Sequence, residues 1–347
     1  MTKLTTSERL RGVWLPVAFT READAAFAAR KPLARRLLGE PIVVFPDEHG
    51  APAALDDRCL HRGVSLSLGT IDRGGVQCPY HGLRFDGRGA CVDAPCIVPG
   101  DRLPKKQIRS FHVRRDDGTL WATLAKDPPP FATSWPVLPG ARYRTFEMTR
   151  TVACSAPWVL ENFVDCAHTG FVHAGLFRGP PSQPVSAKIE ERATGVHIET
   201  FGETKSDSLL ARLLVRNGEA PRHTDELIFP AAIRVDYHFG RHHIVTTSIC
   251  TPVDDGTTHI MTRVSVSFGL ASPIVRAVVR ALTARILDQD RVILEDQQRN
   301  QDTRGDHDLF SLTSDVPAAW VARAFRAYAA GEDPAAPLRA KEIRYRL

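Results

Sequence analysis

Two short segments place cysteine and histidine at spacings suited to a metal cluster. The first reads Cys59-Leu60-His61-Arg62-Gly63, and with sixteen residues between His61 and Cys78 the second reads Cys78-Pro79-Tyr80-His81-Gly82. Thiolate and imidazole are common protein ligands for iron. A [2Fe–2S] cluster with two Cys on one iron and two His on the other has a higher reduction potential than an all-Cys cluster. A one-residue spacer in the first pair and a two-residue spacer in the second let each loop give one ligand to each iron. Glycine follows each pair, at Gly63 and Gly82, where tight loops need a permissive backbone. A structural Cys2His2 zinc site is the alternative, but zinc sites usually pair like ligands, and here Cys and His alternate.

A second constellation lies at Asp165-Cys166-Ala167-His168-Thr169-Gly170-Phe171-Val172-His173. Two histidines five residues apart point about 140° apart on an ideal helix, so a regular helix would not aim both at one metal. Gly170 between them would let the backbone loosen. Two His and one carboxylate form the facial set that leaves open positions on Fe(II). The carboxylate comes from elsewhere in the chain. From Pro273 a long helix is expected to about Gln301, with an apolar stripe through Val275, Val278 or Val279, Leu282, Ile286, Ile293 and Gln297. The i+4 step after Ile286 lands on Asp290, and an ionised Asp on a buried stripe is costly unless paired or bound to metal. Asp288, Glu295 and Asp296 fall on other faces and read as solvated. Asp165, three residues before His168, competes with Asp290 as a ligand; a buried ion pair is the plain alternative for Asp290.

These motifs resemble the Rieske non-heme iron oxygenases, in particular the single-subunit-type terminal oxygenases of the O-demethylase and monooxygenase branch. The resemblance runs from Trp14 to about Tyr328. It implies an α+β chain, with an N-terminal all-β Rieske domain and a C-terminal helix-grip catalytic domain of antiparallel sheet and helices. It implies a [2Fe–2S] cluster on Cys59, His61, Cys78 and His81, and a mononuclear Fe(II) on His168, His173 and Asp290. The family's D-x2-H-x4-H motif matches Asp165, His168 and His173, and implies that Asp165 passes electrons between subunits of a homotrimer, from His81 of the partner subunit to His168. Leu60 stands where Pro is frequent in the family and Leu83 where Trp often follows H-G; neither is a ligand.

The implied reaction uses O2 and electrons from NAD(P)H, delivered by a separate reductase with or without a ferredoxin, to hydroxylate or demethylate a small, expectedly aromatic, substrate. Ring cis-dihydroxylation is the alternative within the class. An electron-transfer protein without oxygenase activity is the alternative outside it. Val159, Phe163, Leu176 and Phe177 flank the iron motif as pocket candidates, each with plain core as the simpler reading.

The elements that must position these residues are legible in outline. At 347 residues, with 43% hydrophobic and 24% charged residues and a net charge of +5, the chain is of ordinary globular composition, and two domains are expected. No run of like charge suggests nucleic acid, and no apolar run approaches the roughly 20 residues of a membrane span. The N-terminus lacks a signal-peptide pattern, so a soluble cytoplasmic protein is expected. Seven cysteines, two of them claimed by the cluster, are read as reduced. The domains are read as 1–126 and 146–347 around a linker, 127–145, where five prolines fall between Asp127 and Pro139. Short β runs punctuated by Asp47–Gly50, Gly74-Gly75 and Phe85–Gly89 fill the first domain. Residues 21–39 could hold a short helix. In the second domain a strand is expected over 146–154 and a helical stretch over 157–172. Four strands are expected at 185–201, 224–239, 242–252 and 257–270, a short helix at 208–216, and a last helix from Ser314–Pro317 to about Ala330.

Overall fold

The computed structural model describes residues 8–98, 100–131, 135, 142–176, 184–192, 195–203, 221–304, 309–332 and 340–346. The helix expected at 208–216 and the pocket candidate Phe177 lie outside them. The chain divides into two compact units, with the boundary between Trp135 and Pro136.

Among the described residues the first unit is β apart from two short α-helices near its start and a single 3-10 turn at Leu66–Leu68. One antiparallel sheet of six strands runs Leu15–Phe19, Thr119–Thr123, Ser110–Asp116, Pro52–Asp56, Glu40–Pro46 and Leu33–Leu37; a four-stranded sheet spans residues 70–93. Ile42, Val43, Val44 and Phe45 are each fully buried, so this strand is covered on both faces and reads as a continuous apolar run rather than an alternating one. Asp47 and Asp86 make the same turn. Each Oδ1 accepts backbone N–H bonds from the residues two and four positions on, the Asx geometry that favours Asp there. The segment 21–39 divides into a helix, Thr20–Ala28, and the edge strand Leu33–Leu37. Within the proline-rich stretch, Phe131 packs on Trp14 and Trp121, and Trp135 Nε1–H donates to Thr119 Oγ1 at 2.7 Å, so these residues are docked on the first unit.

The second unit is an eight-stranded antiparallel sheet in the order Arg144–Val152, Thr258–Ser267, His242–Pro252, Ala232–Phe239, Arg222–Ile228, Gly195–Phe201, Pro184–Arg192, Ala340–Arg346. The expected strand 224–239 is a hairpin, because Pro230 has no N–H to continue a ladder. The expected strand 185–201 is likewise two strands, paired from Ser186–Phe201 to Arg192–Gly195. The edge strand Ala340–Arg346 was not expected; its charged, mostly exposed sequence carries little β signal.

The 33-residue helix Ser272–Arg304 crosses strands Arg144–Val152 and Thr258–Ser267, burying Val275 and Val279 against Phe146, Val264 and Val266. Its buried face continues through Leu287, Asp290, Leu294 and Gln298. Ile293 and Gln297 are exposed, a correction to the expected stripe: over so long a helix, the 3.6-residue repeat carries the buried face one position on. Asp288 and Glu295 are also not simply solvated. Arg150 Nε donates to Asp288 at 2.9 Å, and Glu295 accepts the Ala153 N–H at 3.3 Å. Among the described residues no helix is long and apolar enough to cross a membrane.

On the sheet face away from this helix, Arg234 donates twice to Asp236, at 2.6 and 2.9 Å, and His243 Nε2 lies 2.9 Å from the same carboxylate. Burial alone would raise the Asp236 pKa; the His243 and Arg234 bonds outweigh it and hold the group at about 2. A depressed carboxyl stabilises the fold above its ordinary pKa and loses that contribution as pH falls through its folded value. Asp236→Asn is therefore expected to lower unfolding free energy at pH 7 by about 2 kcal/mol, with the difference vanishing between pH 4 and 2. Urea unfolding across that range checks this, and equal stability at pH 7 would reject it.

Candidate functional site

Two groups of ligand-type side chains form, one in each unit. In the first unit the two loops share one backbone pattern. Cys59 N–H donates to Val64 O at 2.9 Å and Gly63 N–H to Cys59 O at 2.9 Å; Cys78 N–H donates to Leu83 O at 2.8 Å and Gly82 N–H to Cys78 O at 3.2 Å. Gly63 and Gly82 take φ of 75° and 74°, the left-handed region that other residues resist. Cys59 and Cys78 are buried in the core with Leu66, Val76 and Leu83. Burial pushes the Cys59 thiol up, and Cys78 beside it adds to this, so a thiolate pair here needs a cation. The His61 and His81 rings lie 4.4 Å apart, centroid to centroid, nearer the surface, with Tyr80 against His81 at 4.0 Å. Two buried sulfurs beneath two adjacent imidazoles fit a [2Fe–2S] cluster ligated asymmetrically.

In the second unit, helix Ala156–Val164 ends at Asp165, whose backbone is extended, and a single helical turn, Thr169–Val172, follows. His168 and His173 flank that turn. The expected loosening at Gly170 is thus misplaced: Gly170 sits inside the turn, His168 keeps helical dihedrals, and the backbone departs from the helix at His173, with φ −107° and ψ 27°. The long helix fixes the start of Ala156–Val164, since Gln298 Oε1 accepts the Ser155 N–H at 2.9 Å.

The same helix brings Asp290 to the two histidines. Asp290 Oδ1 is 3.1 Å from His173 Nε2 and 3.5 Å from His168 Nε2, and the three ligand atoms lie within 4.8 Å of one another. Asp290 Oδ1 is buried and makes no hydrogen bond. Burial would raise the Asp290 pKa, but the two imidazoles outweigh it and lower the group. His168 is opposed by burial and supported by Asp165 and Asp290, which hold it up at about 9. An orphaned carboxylate oxygen between two imidazoles fits a divalent metal of the two-His, one-carboxylate type. Asp165 Oδ2 lies 3.5 Å from His168 Nδ1, on the ring edge away from Asp290, and its Oδ1 accepts the Ala167 N–H at 2.8 Å.

One supporting residue went unread in the sequence: His173 Nδ1–H donates to Gln289 Oε1 at 3.0 Å. This bond leaves Nε2 as the lone-pair nitrogen, facing Asp290. Gln289 adjoins Asp290 in sequence, but nothing in its residue type marks it.

A cavity of about 170 Å³ opens beside Asp290, His168 and His173. A cavity of roughly 150 Å³ holds a benzene. Its lining is largely apolar, with Val235, Phe239, Ile244, Val279, Leu282 and Ile286. Of the sequence candidates, Phe163 and Leu176 line it, whereas Val159 is fully buried core.

A chain with such a cluster loop pair and a second, cavity-facing metal trio is of the iron–sulfur oxygenase class. Residues 13–112 match the Rieske [2Fe-2S] domain, and residues 152–330, more than half of the chain, match the vanillate O-demethylase oxygenase C-terminal domain. The chain belongs to the Rieske non-heme iron oxygenases, and its cofactors are a [2Fe–2S] cluster and a mononuclear non-heme iron. It is similar to the oxygenase subunit of 3-chlorobenzoate-3,4-dioxygenase from Comamonas testosteroni, 32% identical over 48% of this chain and 38% of that one. It is also similar to the oxygenase component of dicamba O-demethylase from Stenotrophomonas maltophilia, 27% identical over 84% and 89%. The crystal structure of dicamba monooxygenase bound to dicamba superposes with a TM-score of 0.78 at 26% identity, covering 92% of this chain and 98% of that one. The chain spans less than half the length of the chlorobenzoate relative and of two others that match it.

Removing the Gln289 acceptor is expected to weaken iron binding, since loss of such an outer partner costs about 10- to 100-fold in metal affinity. Competition of Gln289→Ala with a ferrous chelator, with cluster absorbance as an internal control, measures this. Unchanged iron affinity would reject the role.

Proposed function

We propose that the protein is the terminal oxygenase of a multicomponent system that hydroxylates or oxidatively demethylates a small, single-ring organic substrate with O2. The observation that carries the reading is the orphaned Asp290 Oδ1 between two histidines at the head of an apolar cavity. His168, His173 and Asp290 would hold the iron, and Cys59, His61, Cys78 and His81 the cluster. When bound, these groups supply one-electron transfer and activation of O2. The chain's own residues do the rest. Gln289 orients His173, the Asp165 carboxylate stands beside the His168 ring as the electron-transfer bridge, and Phe163, Val279 and Ile286 seat an aromatic ring. The family relationship supports the partners: a separate NAD(P)H-dependent reductase, with or without a ferredoxin.

Assembly as a cytoplasmic homotrimer is part of the proposal. A closed head-to-tail ring is a heterologous interface, and it would set His81 of the partner subunit beside Asp165. Domains at 1–126 and 146–347 belong to the same reading, with 127–145 as the connecting segment whose Phe131 and Trp135 dock on the first unit. When the oxidised carbon is attached to an ether oxygen or an amine nitrogen, the resulting hemiacetal or hemiaminal collapses and releases an aldehyde. Likeness to a ring dioxygenase supports the second reading, cis-dihydroxylation.

With a generic reductase and methoxylated aromatics, O2-dependent formaldehyde is expected, with one atom of labelled oxygen incorporated; two atoms in a diol would favour the second reading. Asp290→Ala should abolish turnover, reduce bound iron from about three to about two per chain, and leave the cluster's visible absorbance intact. Wild-type protein with cluster iron alone would reduce the chain to an electron carrier.

A further inference from the structure

Apolar side chains of the long helix line much of the cavity, and besides the hydroxyl pair Ser248–Thr262 its wall carries a buried His–carboxylate cluster that iron binding does not use. His223 and Asp225 stand two residues apart on strand Arg222–Ile228 and both line the cavity. They are 1% and 2% exposed. His223 Nδ1 lies 2.8 Å from Glu203 Oε1, and Nε2 lies 3.1 Å from Asp225 Oδ1. Cys166, two residues before His168, donates its thiol to Asp225 Oδ2 at 3.5 Å. The Tyr237 ring stacks on the imidazole at 4.2 Å and 14°, and Phe239 stacks on Tyr237 at 6.2 Å.

A buried imidazole between two carboxylates is held in its doubly protonated form. Burial opposes the charge, but Asp225 and Glu203 outweigh it and raise the group to about 9. Both N–H groups are then committed, one to each carboxylate, and neither is left to donate to an incoming anion. Asp225 differs. Each of its oxygens accepts one bond from the protein, and a carboxylate offers about four lone-pair sites, so acceptor capacity remains at the cavity wall. The described residues of the lining include three carboxylates, Asp165, Asp225 and Asp290, and no Lys or Arg. An aryl carboxylate placed here would set a second negative charge beside a buried one, an arrangement in which one of the two cannot stay ionised without cost.

We propose that Asp225, braced by His223 and Cys166, is the specificity-determining residue of the cavity: it accepts a hydrogen bond from an O–H or N–H group, neutral or cationic, on a single-ring substrate stacked along Tyr237 and Phe239, and it rejects ring carboxylates. This rests on the oxygenase reading only in taking the cavity as the place where substrate binds.

The test is calorimetric binding to the full chain loaded with cluster and iron, without O2. The probes share one ring and differ in one substituent: 4-methoxyphenol, 4-methoxybenzylamine, anisole and 4-methoxybenzoate. The phenol and the amine are expected to bind at least about tenfold tighter than anisole, the worth of one hydrogen bond to a charged acceptor, with the benzoate weakest. In Asp225→Asn that advantage should fall by about tenfold for the amine while benzoate binding improves. A wild-type benzoate affinity equal to that of the phenol, no binding by any of the four probes, or an unchanged ranking in Asp225→Asn would overturn the proposal. The wild-type ranking decides even if the variant fails to fold. Formaldehyde release measured separately keeps the two readings apart: the expected ranking without O2-dependent product would sink the oxygenase reading alone, and product formation with preferred benzoate binding would sink this one alone.

Discussion

One buried carboxylate organises the second unit. Asp290 sits on the inward face of a helix otherwise committed to Val275, Val279, Leu287 and Leu294, with one oxygen that no protein donor satisfies. An ionised carboxylate buried without a partner is costly by several kcal/mol. Two imidazoles lower that cost, and a divalent cation bound between them would remove it. The surrounding structure exists to keep those three groups together. Arg150 pins the helix through Asp288, Glu295 takes the Ala153 N–H, and Gln298 takes the Ser155 N–H. Four polar residues over about three turns of one helix thereby fix the strand before the ligand-bearing helix, the start of that helix, and the metal-facing atom itself.

The first unit solves a related problem with covalent economy. Two five-residue loops repeat the same pair of backbone bonds, and each is closed by a glycine at positive φ. The sulfurs go inward to a core of Leu66, Val76 and Leu83 and the imidazoles outward. The sulfur side is thus held in a low-dielectric core that disfavours free thiolates, while the imidazole side stays near the surface.

How much of this is legible in the sequence depends on the range of the interaction. Cys59 to His61 and Cys78 to His81 are local, and their residue types are rare enough together to announce a metal. Asp290 was reachable because a helix repeats and a carboxylate on an apolar stripe is anomalous, although Ile293 and Gln297, the next residues assigned to that stripe, turned out to face solvent. Gln289, His223 and Asp225 were not reachable in this way. A glutamine beside a ligand has no signature of its own, and His223 becomes meaningful only when strand pairing sets it next to Glu203 and Tyr237. The hairpin at Pro230 was available in principle, since a proline cannot sit within a central ladder. The edge strand Ala340–Arg346 was not, because its charges describe its exposed flank rather than its backbone pairing.

The two centres differ in what can approach them, and that difference follows from burial alone. His61 is exposed and His81 half-buried, with Leu60 and Tyr80 exposed beside them; in the proposed reading this is the surface at which electrons would enter. His173 is 2% exposed and Asp290 7%, beside a cavity of about 170 Å³, the size of one aromatic ring. A surface cluster alone could shuttle electrons but could not protect a reactive oxygen species from solvent. A buried iron alone could bind a small molecule but would lack an exposed point of electron entry. The division of the chain into two units, each burying its ligands to a different depth, is what allows both requirements to be met by one sequence.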